Sequence, residues 1–179
     1  MSDSSTPSVS GWVKYYTATE GRPPRPTLLA ALDRFAAEGV CGTAIDLGCG
    51  DGRDAIELLR RGWHVIGIDS EPVALERLRA RQDLPPGAKL DLRAETFEEA
   101  TWGRVELVNS SFALPFCPPA AFPALWRKID ASILPGGRFA AQLCGPRDSW
   151  AERGMDNHPV TFHEEAASRA LRQLCDRAF

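Results

Sequence analysis

Hydrophobic and polar residues alternate along this chain with two different periods. Short runs with the length and pattern of strands lie at 43–47, 64–69, 89–93, 104–108 and 138–143. Between these runs, apolar residues recur every three or four positions, as they do on one face of a helix. The second pattern predicts helices at 26–36, 53–61, 70–78 and 122–133. The chain is therefore expected to alternate regularly between strands and helices.

Residues that start and stop helices separate these segments. Ser70 is expected to cap the helix that follows it, in which Pro72 takes an early position. Gly62 is placed to end the helix over 53–61, and the Pro-Gly-Gly at 135–137 to end the helix over 122–133. The sequence at 161–164 has the form of a capping box, which predicts a last helix near the carboxyl terminus.

Strands and helices that alternate at this spacing predict a parallel sheet with helices on both of its faces. We therefore expect an α/β fold with three layers, α/β/α, and a mainly parallel sheet of about five strands. One domain is expected over residues 27–179, preceded by a flexible segment over 1–26 that serves as a lid. Ligands of such sheets lie beyond the carboxyl ends of the strands, so the chemistry is expected there.

Composition narrows the function classes. The net charge of −3 over 179 residues gives no reason to expect a nucleic-acid partner. No apolar stretch is long enough to span a membrane, and the amino terminus lacks the features of a signal peptide. The five cysteines include no Cys-x-x-Cys pair, so neither a disulfide framework nor a metal site is expected. These features predict a cytoplasmic protein.

A glycine-rich loop follows the first predicted strand. Its sequence is Asp46-Leu-Gly-Cys-Gly-Asp-Gly52, in which glycines let the backbone turn tightly and approach a ligand. A dinucleotide-binding loop has the spacing Gly-x-Gly-x-x-Gly, whereas Arg53 follows a Gly-x-Gly-x-Gly here. Asp46 disfavours a pyrophosphate but suits a ligand that carries an ammonium and a sulfonium. The loop therefore favours S-adenosylmethionine over a nicotinamide, and a nicotinamide-dependent oxidoreductase is the less favoured alternative.

An acidic residue ends the second predicted strand. Asp69 lies 17 residues beyond Gly52, where a carboxylate can accept two hydrogen bonds from a ribose diol. An Asp at a strand end also serves as a cap or a turn former. Its combination with the glycine loop favours the ribose role.

These motifs resemble those of the class I S-adenosylmethionine-dependent methyltransferases, which have a Rossmann-like fold. The resemblance covers residues 27–145 and rests on Asp46-Leu-Gly-Cys-Gly-Asp-Gly52, Val65-Ile-Gly-Ile-Asp69 and Leu134-Pro-Gly-Gly-Arg-Phe139. The segments 50–54 and 62–65 are similar to the branch of tellurite-resistance and thiopurine methyltransferases, which act on small molecules. The resemblance implies methyl transfer to an S, O or N nucleophile of a small molecule.

The resemblance also implies roles for individual residues. The implied cofactor-binding residues are Asp46, Gly48, Cys49, Gly50, Asp69, Ser70, Glu95, Thr96 and Asn109. Asp46 would hold the methionine end, and Asp69 the ribose hydroxyls. Glu95 stands where relatives often have an Asp near the adenine; it would bind the exocyclic amine, or it is a solvated acid.

The acceptor side is less defined. Asn109, Ser110 and Tyr16 are the candidate catalytic residues, although a dedicated base is optional when the methyl group is already activated. The segment 109–112 lacks the two prolines found in amino-methylating relatives, which argues against base methylation. Arg25, together with Arg22, is a candidate for binding an anionic substrate, with surface solvation as the alternative.

The sequence pattern predicts five strands in all, whereas the family's sheet normally has seven, the last two forming an antiparallel pair beyond the fifth. Without that pair, the strand at 139–143 becomes an exposed edge that invites pairing with another chain. Three alternatives follow: a truncated product, an enzyme that completes its sheet as a homodimer, or a catalytically weak cofactor-binding protein. The last helix, over 162–176, is the other element that would cover this edge.

Overall fold

Parallel strands form one sheet in the computed structural model, which describes residues 11–145, 147 and 160. The strands are β1 (Thr43–Leu47), β2 (His64–Asp69), β3 (Leu90–Ala94), β4 (Val105–Ser110) and β5 (Ile133–Ala141). The helices are α1 (Gly11–Thr19), α2 (Pro26–Ala37), α3 (Ala55–Arg60), α4 (Pro72–Arg79) and α5 (Phe122–Ser132), with a 3₁₀ turn at Leu114–Phe116.

The strand order in the sheet is β3-β2-β1-β4-β5, and every neighbouring pair is parallel. The chain therefore winds outward from β1 in one direction through β2 and β3, then in the other through β4 and β5. The carboxyl ends of β1 and β4 lie side by side where the direction reverses. Such a reversal opens a crevice that binds ligands in α/β sheets.

Helices cover both faces of the sheet, because its central strands are apolar on both sides. Ala44 of β1 packs with α2, α3 and α4, in a core that includes Leu32, Phe35 and Leu58. Ile45, next to Ala44, packs on the opposite face with α5. These two cores confirm the predicted three-layer α/β/α architecture and its parallel sheet.

Two predicted boundaries are wrong. Ser70 does not cap α4; Glu71 occupies the position before the helix, and Pro72 begins it. The Pro-Gly-Gly at 135–137 lies inside β5, because α5 already ends at Ser132 and the chain turns directly into the strand. The register between β4 and β5 shifts between Val105 and Leu107, which accommodates this early start.

Helix α1 lies in the amino-terminal segment, where the sequence pattern predicts no helix. Strand β5 forms one edge of the described sheet, whereas the predicted last helix over 162–176 lies outside the described residues. Among residues 11–145, no helix combines the length and the apolar character that crossing a membrane requires.

Candidate active site

The glycine loop turns sharply after β1. Gly48 has a φ of +74°, and a Cβ atom there would lie 2.1 Å from Cβ of Ala113. The backbone N–H groups of Gly48 and Cys49 both donate to the Ile68 carbonyl of β2, at 2.7 and 3.1 Å. The loop is therefore fixed against β2 on one side and packed so closely on the other that only glycine fits.

Asp69 ends β2 beside this loop. Its Oδ2 accepts a hydrogen bond from the Gly50 N–H at 2.8 Å, and its Oδ1 accepts one from the Glu71 N–H at 2.9 Å. Burial raises the pKa of Asp69 above its ordinary value, although both hydrogen bonds oppose this shift. Each oxygen keeps acceptor capacity for a further donor. The carboxylate thus orders the loop, and it also lines the cavity described next.

A cavity of about 440 Å³ opens at the carboxyl ends of the strands. The predicted site residues that line it are Tyr16, Asp46, Gly48, Cys49, Gly50, Asp69, Ser70, Glu95 and Thr96. These residues come from α1, from the carboxyl ends of β1 and β2, and from the segments that follow β1, β2 and β3. The crevice predicted from the sheet topology is therefore present, and most of the predicted site residues meet there.

Asp46 lies at the base of the cavity and is 2% exposed. Its Oδ1 accepts a hydrogen bond from Nδ2 of Asn109 at 2.8 Å, whereas its buried Oδ2 has no hydrogen-bond partner among the described residues. Burial, followed by the nearby charge of Asp54, raises the pKa of Asp46 to about 8. A buried carboxylate with an unused oxygen is suited to a cationic ligand group.

Asn109 and Ser110 lie behind the cavity wall, inside β4, and both are fully buried. Asn109 Nδ2 also donates to Oδ2 of Asp54 at 3.2 Å, and Ser110 Oγ donates to the Leu47 carbonyl at 2.9 Å. The structure therefore places these two candidates where they support the site. Neither side chain lines the cavity itself.

The segment after β3 forms the far end of the cavity. Glu95 is half-buried, its N–H donates to the Asp69 carbonyl at 3.2 Å, and its Oε2 accepts from the Thr101 N–H at 3.4 Å. Thr96 Oγ1 donates to Oε2 of Glu99 at 2.9 Å, which closes a turn. Glu95 thus lies next to Asp69 along the wall, as a group that contacts the adenine beside the ribose would.

Aromatic side chains of α1 cover one side of the cavity. Tyr16 is 6% exposed, and its Cε1 would lie 3.0 Å from a Cβ atom placed on Gly50. The Trp12 ring lies 6.3 Å from the Tyr16 ring and 5.0 Å from the Phe116 ring. Burial and the charge of Asp69 raise the pKa of Tyr16 far above its ordinary value, so its phenol stays protonated and acts as a donor.

Asp54 is the main site residue that the sequence pattern did not single out. It is buried, and its carboxylate accepts hydrogen bonds from Asn109, from the Ser111 hydroxyl and, at 3.0 Å, from the Arg25 N–H. It lies two residues beyond Gly52, directly after the basic Arg53. The sequence signal that could have identified Asp54 was an acidic residue in that position, just before an apolar helix.

Together, the fold and the site define the class. A glycine loop after the first strand, with a carboxylate at the end of the second, is the arrangement by which Rossmann-like proteins bind adenosine-containing cofactors. The partner-free oxygen of Asp46 adds a place for an ammonium group, which a dinucleotide lacks.

Residues 44–137 match the family model described as a methyltransferase domain. The chain therefore belongs to the methyltransferase domain family, and its cofactor is S-adenosylmethionine. The resemblance seen in the motifs is thus confirmed at the level of the family.

Individual relatives agree with this placement. The ubiquinone biosynthesis O-methyltransferase of Aeromonas salmonicida is 35% identical over 52% of this chain and 40% of its own length. The trans-aconitate 2-methyltransferase of Methylobacterium radiotolerans is 33% identical over 72% of this chain and 47% of its own length. The chain thus spans less than half the length of either relative.

Among solved structures, TehB from Haemophilus influenzae superposes with a TM-score of 0.67 at 14% identity. The match covers 90% of this chain and 55% of that one. A likeness at this identity supports the fold, while the branch within the family stays a prediction.

Proposed function

We propose that this chain transfers the methyl group of S-adenosylmethionine to an S, O or N nucleophile of a small molecule. The observation that carries the proposal is the partner-free, buried Oδ2 of Asp46 at the base of a cavity lined by the glycine loop and Asp69. S-adenosylmethionine supplies a methyl group on a positively charged sulfur, which a nucleophile takes by in-line displacement. The names of the two curated relatives, which indicate O-methylation and action on trans-aconitate, support a small acceptor.

The cavity residues divide the cofactor between them. We assign Asp46 to the ammonium group of the cofactor. The loop of Gly48, Cys49 and Gly50 would pack against the methionine portion. Asp69, with Ser70 beside it, is assigned to the ribose, because the Asp69 oxygens can still accept hydrogen bonds from the ribose hydroxyls. Glu95 and Thr96 are assigned to the adenine, and Asn109 to holding Asp46 in place.

The acceptor would enter between the sheet and α1. Trp12, Tyr16 and Phe116 form an apolar wall there, so we assign α1, within the segment 1–26, the role of a lid over the domain of 27–179. The chain's contribution to the rate is positioning and the exclusion of water, which together lower a barrier by up to about 7–11 kcal/mol. Tyr16 would orient the acceptor by donating a hydrogen bond.

The first test compares ligands by calorimetric titration. S-adenosylmethionine and S-adenosylhomocysteine are expected to bind in the micromolar range or tighter, and NADH at least tenfold more weakly, because NADH has no ammonium group to pair with Oδ2 of Asp46. Tighter binding of NADH would overturn the cofactor assignment. Transfer of labelled methyl to a panel of thiols, phenols, amines and carboxylates then separates an enzyme from a catalytically weak cofactor-binding protein, which would bind the cofactor without turnover.

Replacing Asp69 tests the ribose role. Asp69→Asn is expected to weaken binding of S-adenosylhomocysteine by about 1.5–3 kcal/mol, the scale of a hydrogen bond to a charged acceptor. The substitution keeps one oxygen but also disturbs the bonds from Gly50 and Glu71. The readout is therefore a comparison with 2′-deoxy-S-adenosylhomocysteine, whose affinity should fall less. An equal fall for both ligands would assign Asp69 to loop structure alone.

The assembly state is a further part of the proposal. Strand β5 is the edge of the described sheet, and an edge strand offers unpaired backbone groups to a neighbour. We propose a homodimer through this strand. Light scattering across a range of concentrations is expected to report twice the mass of one chain; a monomer at every concentration would contradict it.

A further inference from the structure

Asp54 stands at the amino end of α3, but its side chain does not cap that helix. It occupies the position directly before α3, where an Asp side chain commonly accepts a hydrogen bond from the first turn, yet its carboxylate makes no such bond. The carboxylate is buried and accepts instead from Nδ2 of Asn109, from the Ser111 hydroxyl and from the Arg25 N–H. Its donors therefore come from β4, from the segment after β4 and from the residue before α2.

The side-chain amide of Asn109 connects Asp54 with Asp46. Its Nδ2 carries two N–H groups, and it donates to Oδ1 of Asp46 at 2.8 Å and to Oδ2 of Asp54 at 3.2 Å. The opposite orientation of the amide would turn its carbonyl oxygen toward both carboxylates, so the two acids together fix it. Because Oδ1 of Asp46 is held in this way, Oδ2 is left for a ligand of the cavity that Asp46 lines.

Two carboxylates that share one amide repel each other. Burial is the main reason that the pKa of Asp46 rises to about 8, and the charge of Asp54 is the second. Asp69 adds a smaller rise, which the hydrogen bond from Asn109 opposes. The Cys49 thiol, which also lies near Asp46, stays uncharged because burial raises its pKa. Asp54 is thus the charged side chain that most strongly opposes ionisation of Asp46.

Two arginines lie beside Asp54 without neutralising it by contact. Arg53 precedes it in the chain, and the Arg25 N–H donates to it. None of the ion pairs within residues 11–145 joins either guanidinium group to Asp54. The negative charge of Asp54 therefore still acts on Asp46 across the Asn109 amide. A cation bound at Oδ2 of Asp46 would offset the charge of both acids.

We propose that Asp54 is a positioning residue for the cofactor's ammonium group: through Asn109 it holds Asp46 with Oδ2 unpaired, and its own charge adds to the attraction for a cation. This inference rests on the proposed function, since it concerns the same cavity. Without the cofactor, a proton on Asp46 relieves the repulsion between the two acids. The ammonium group takes over that role when it binds, and the proton leaves for the solvent. Cofactor binding near neutral pH therefore releases a proton, and Asp54 sets the pH above which this release ends.

The test counts protons by calorimetry of S-adenosylhomocysteine binding in buffers with different ionisation enthalpies. At pH 7 the wild type is expected to release about one proton per bound ligand, because a carboxyl group with a pKa of about 8 is still mostly protonated there. Asp54→Asn removes the like charge beside Asp46, so it should release about half a proton or less. The pH above which the affinity stops rising should fall by about one pH unit. The amino group of the ligand titrates alike with every variant, so the differences report on the protein.

Asp130→Asn, which removes an exposed charge from α5, is the control and should release as many protons as the wild type. Asp54→Ser is a second neutral variant, with a side chain suited to the start of a helix, in case Asp54→Asn does not fold. The proposal is overturned if the wild type binds S-adenosylhomocysteine without releasing a proton, or if the neutral variants release as many protons as the wild type. It is also overturned if their affinity falls by one factor at every pH, because Asp54 would then serve structure alone. A wild type that binds no S-adenosylhomocysteine at all would instead overturn the proposed function.

Discussion

Gly48→Ala is expected to abolish cofactor binding and to destabilise the fold. A Cβ atom at this position would lie 2.1 Å from Cβ of Ala113, whereas carbon atoms in contact stay about 3.5–4.0 Å apart. The loop must therefore move by more than an ångström. Overpacking costs about 1–3 kcal/mol, and the left-handed backbone adds about 1–2 kcal/mol. Because a displacement of that size removes the loop from its ligand, we expect at least about a 100-fold loss of affinity.

Gly87 provides a matched control for this substitution. Its φ of +73° nearly equals that of Gly48, but no atom of the described part of the chain lies within 4 Å of the Cβ position. Gly87→Ala should therefore lose only the backbone contribution and bind S-adenosylhomocysteine like the wild type. Thermal melting and calorimetry of both variants measure the difference. Equal losses of melting temperature and of affinity in the two variants would mean that the contact between Gly48 and Ala113 does not shape the site.

Asp46→Asn is expected to raise stability and lower affinity at the same time. In the folded chain Asp46 has a pKa of about 8, whereas its ordinary value is 3.8. Between these values the folded chain holds a proton that the unfolded chain releases, so the cofactor-free fold loses stability as pH rises from about 4 to 8. Asn carries no charge and removes this loss. The variant should therefore melt at a higher temperature than the wild type at pH 9, and nearly equally at pH 4.

The affinity for S-adenosylmethionine should rise with pH over the range in which the stability of the fold falls. An ammonium group beside Asp46 requires the carboxylate to be ionised, so the wild-type affinity for S-adenosylmethionine should rise by up to about tenfold per pH unit between pH 6 and 8. Above pH 8 the rise should stop, because an α-amino group itself begins to lose its proton near there. Asp46→Asn should flatten this dependence and cost about 3–5 kcal/mol of affinity at pH 8, the cost of removing one partner of a buried pair.

The exposed Asp130 on α5 supplies the control for charge. Asp130→Asn should change neither the melting temperature at pH 9 nor the pH dependence of binding. A wild-type affinity that is flat from pH 6 to 8 would show that Asp46 is already ionised, or that it does not face the ammonium group.

The parts of the fold that the sequence predicted well are those determined by local pattern. Strand β1 was predicted at its observed residues, since a strand buried on both faces is a continuous apolar run ended by glycines. Asp69 was predicted at the cavity because it follows such a strand. The position of β1 and the position of Asp69 both depend on residues that are close in sequence, so a periodic pattern predicts them.

The remaining features depend on contacts between distant segments. The burial of Asn109 behind Asp46 follows from β4 pairing with β1 in a register that sets these two residues side by side. The early start of β5 reflects a register shift against β4, which no local pattern encodes. Helix α1 escaped prediction because Tyr16 packs onto a glycine of the loop rather than onto the core of the domain.

The cavity walls come from separable parts of the chain. The wall assigned to the cofactor is formed by the loop ends of β1, β2 and β3, which the sheet holds rigidly. The opposite wall consists of α1 and the segment 111–118, which contribute little to the sheet itself. Changes of acceptor preference are therefore expected to accumulate in those two segments while cofactor affinity stays constant. The fold thus keeps cofactor binding and acceptor binding on separate segments, and directed evolution of a new specificity should randomise α1 first.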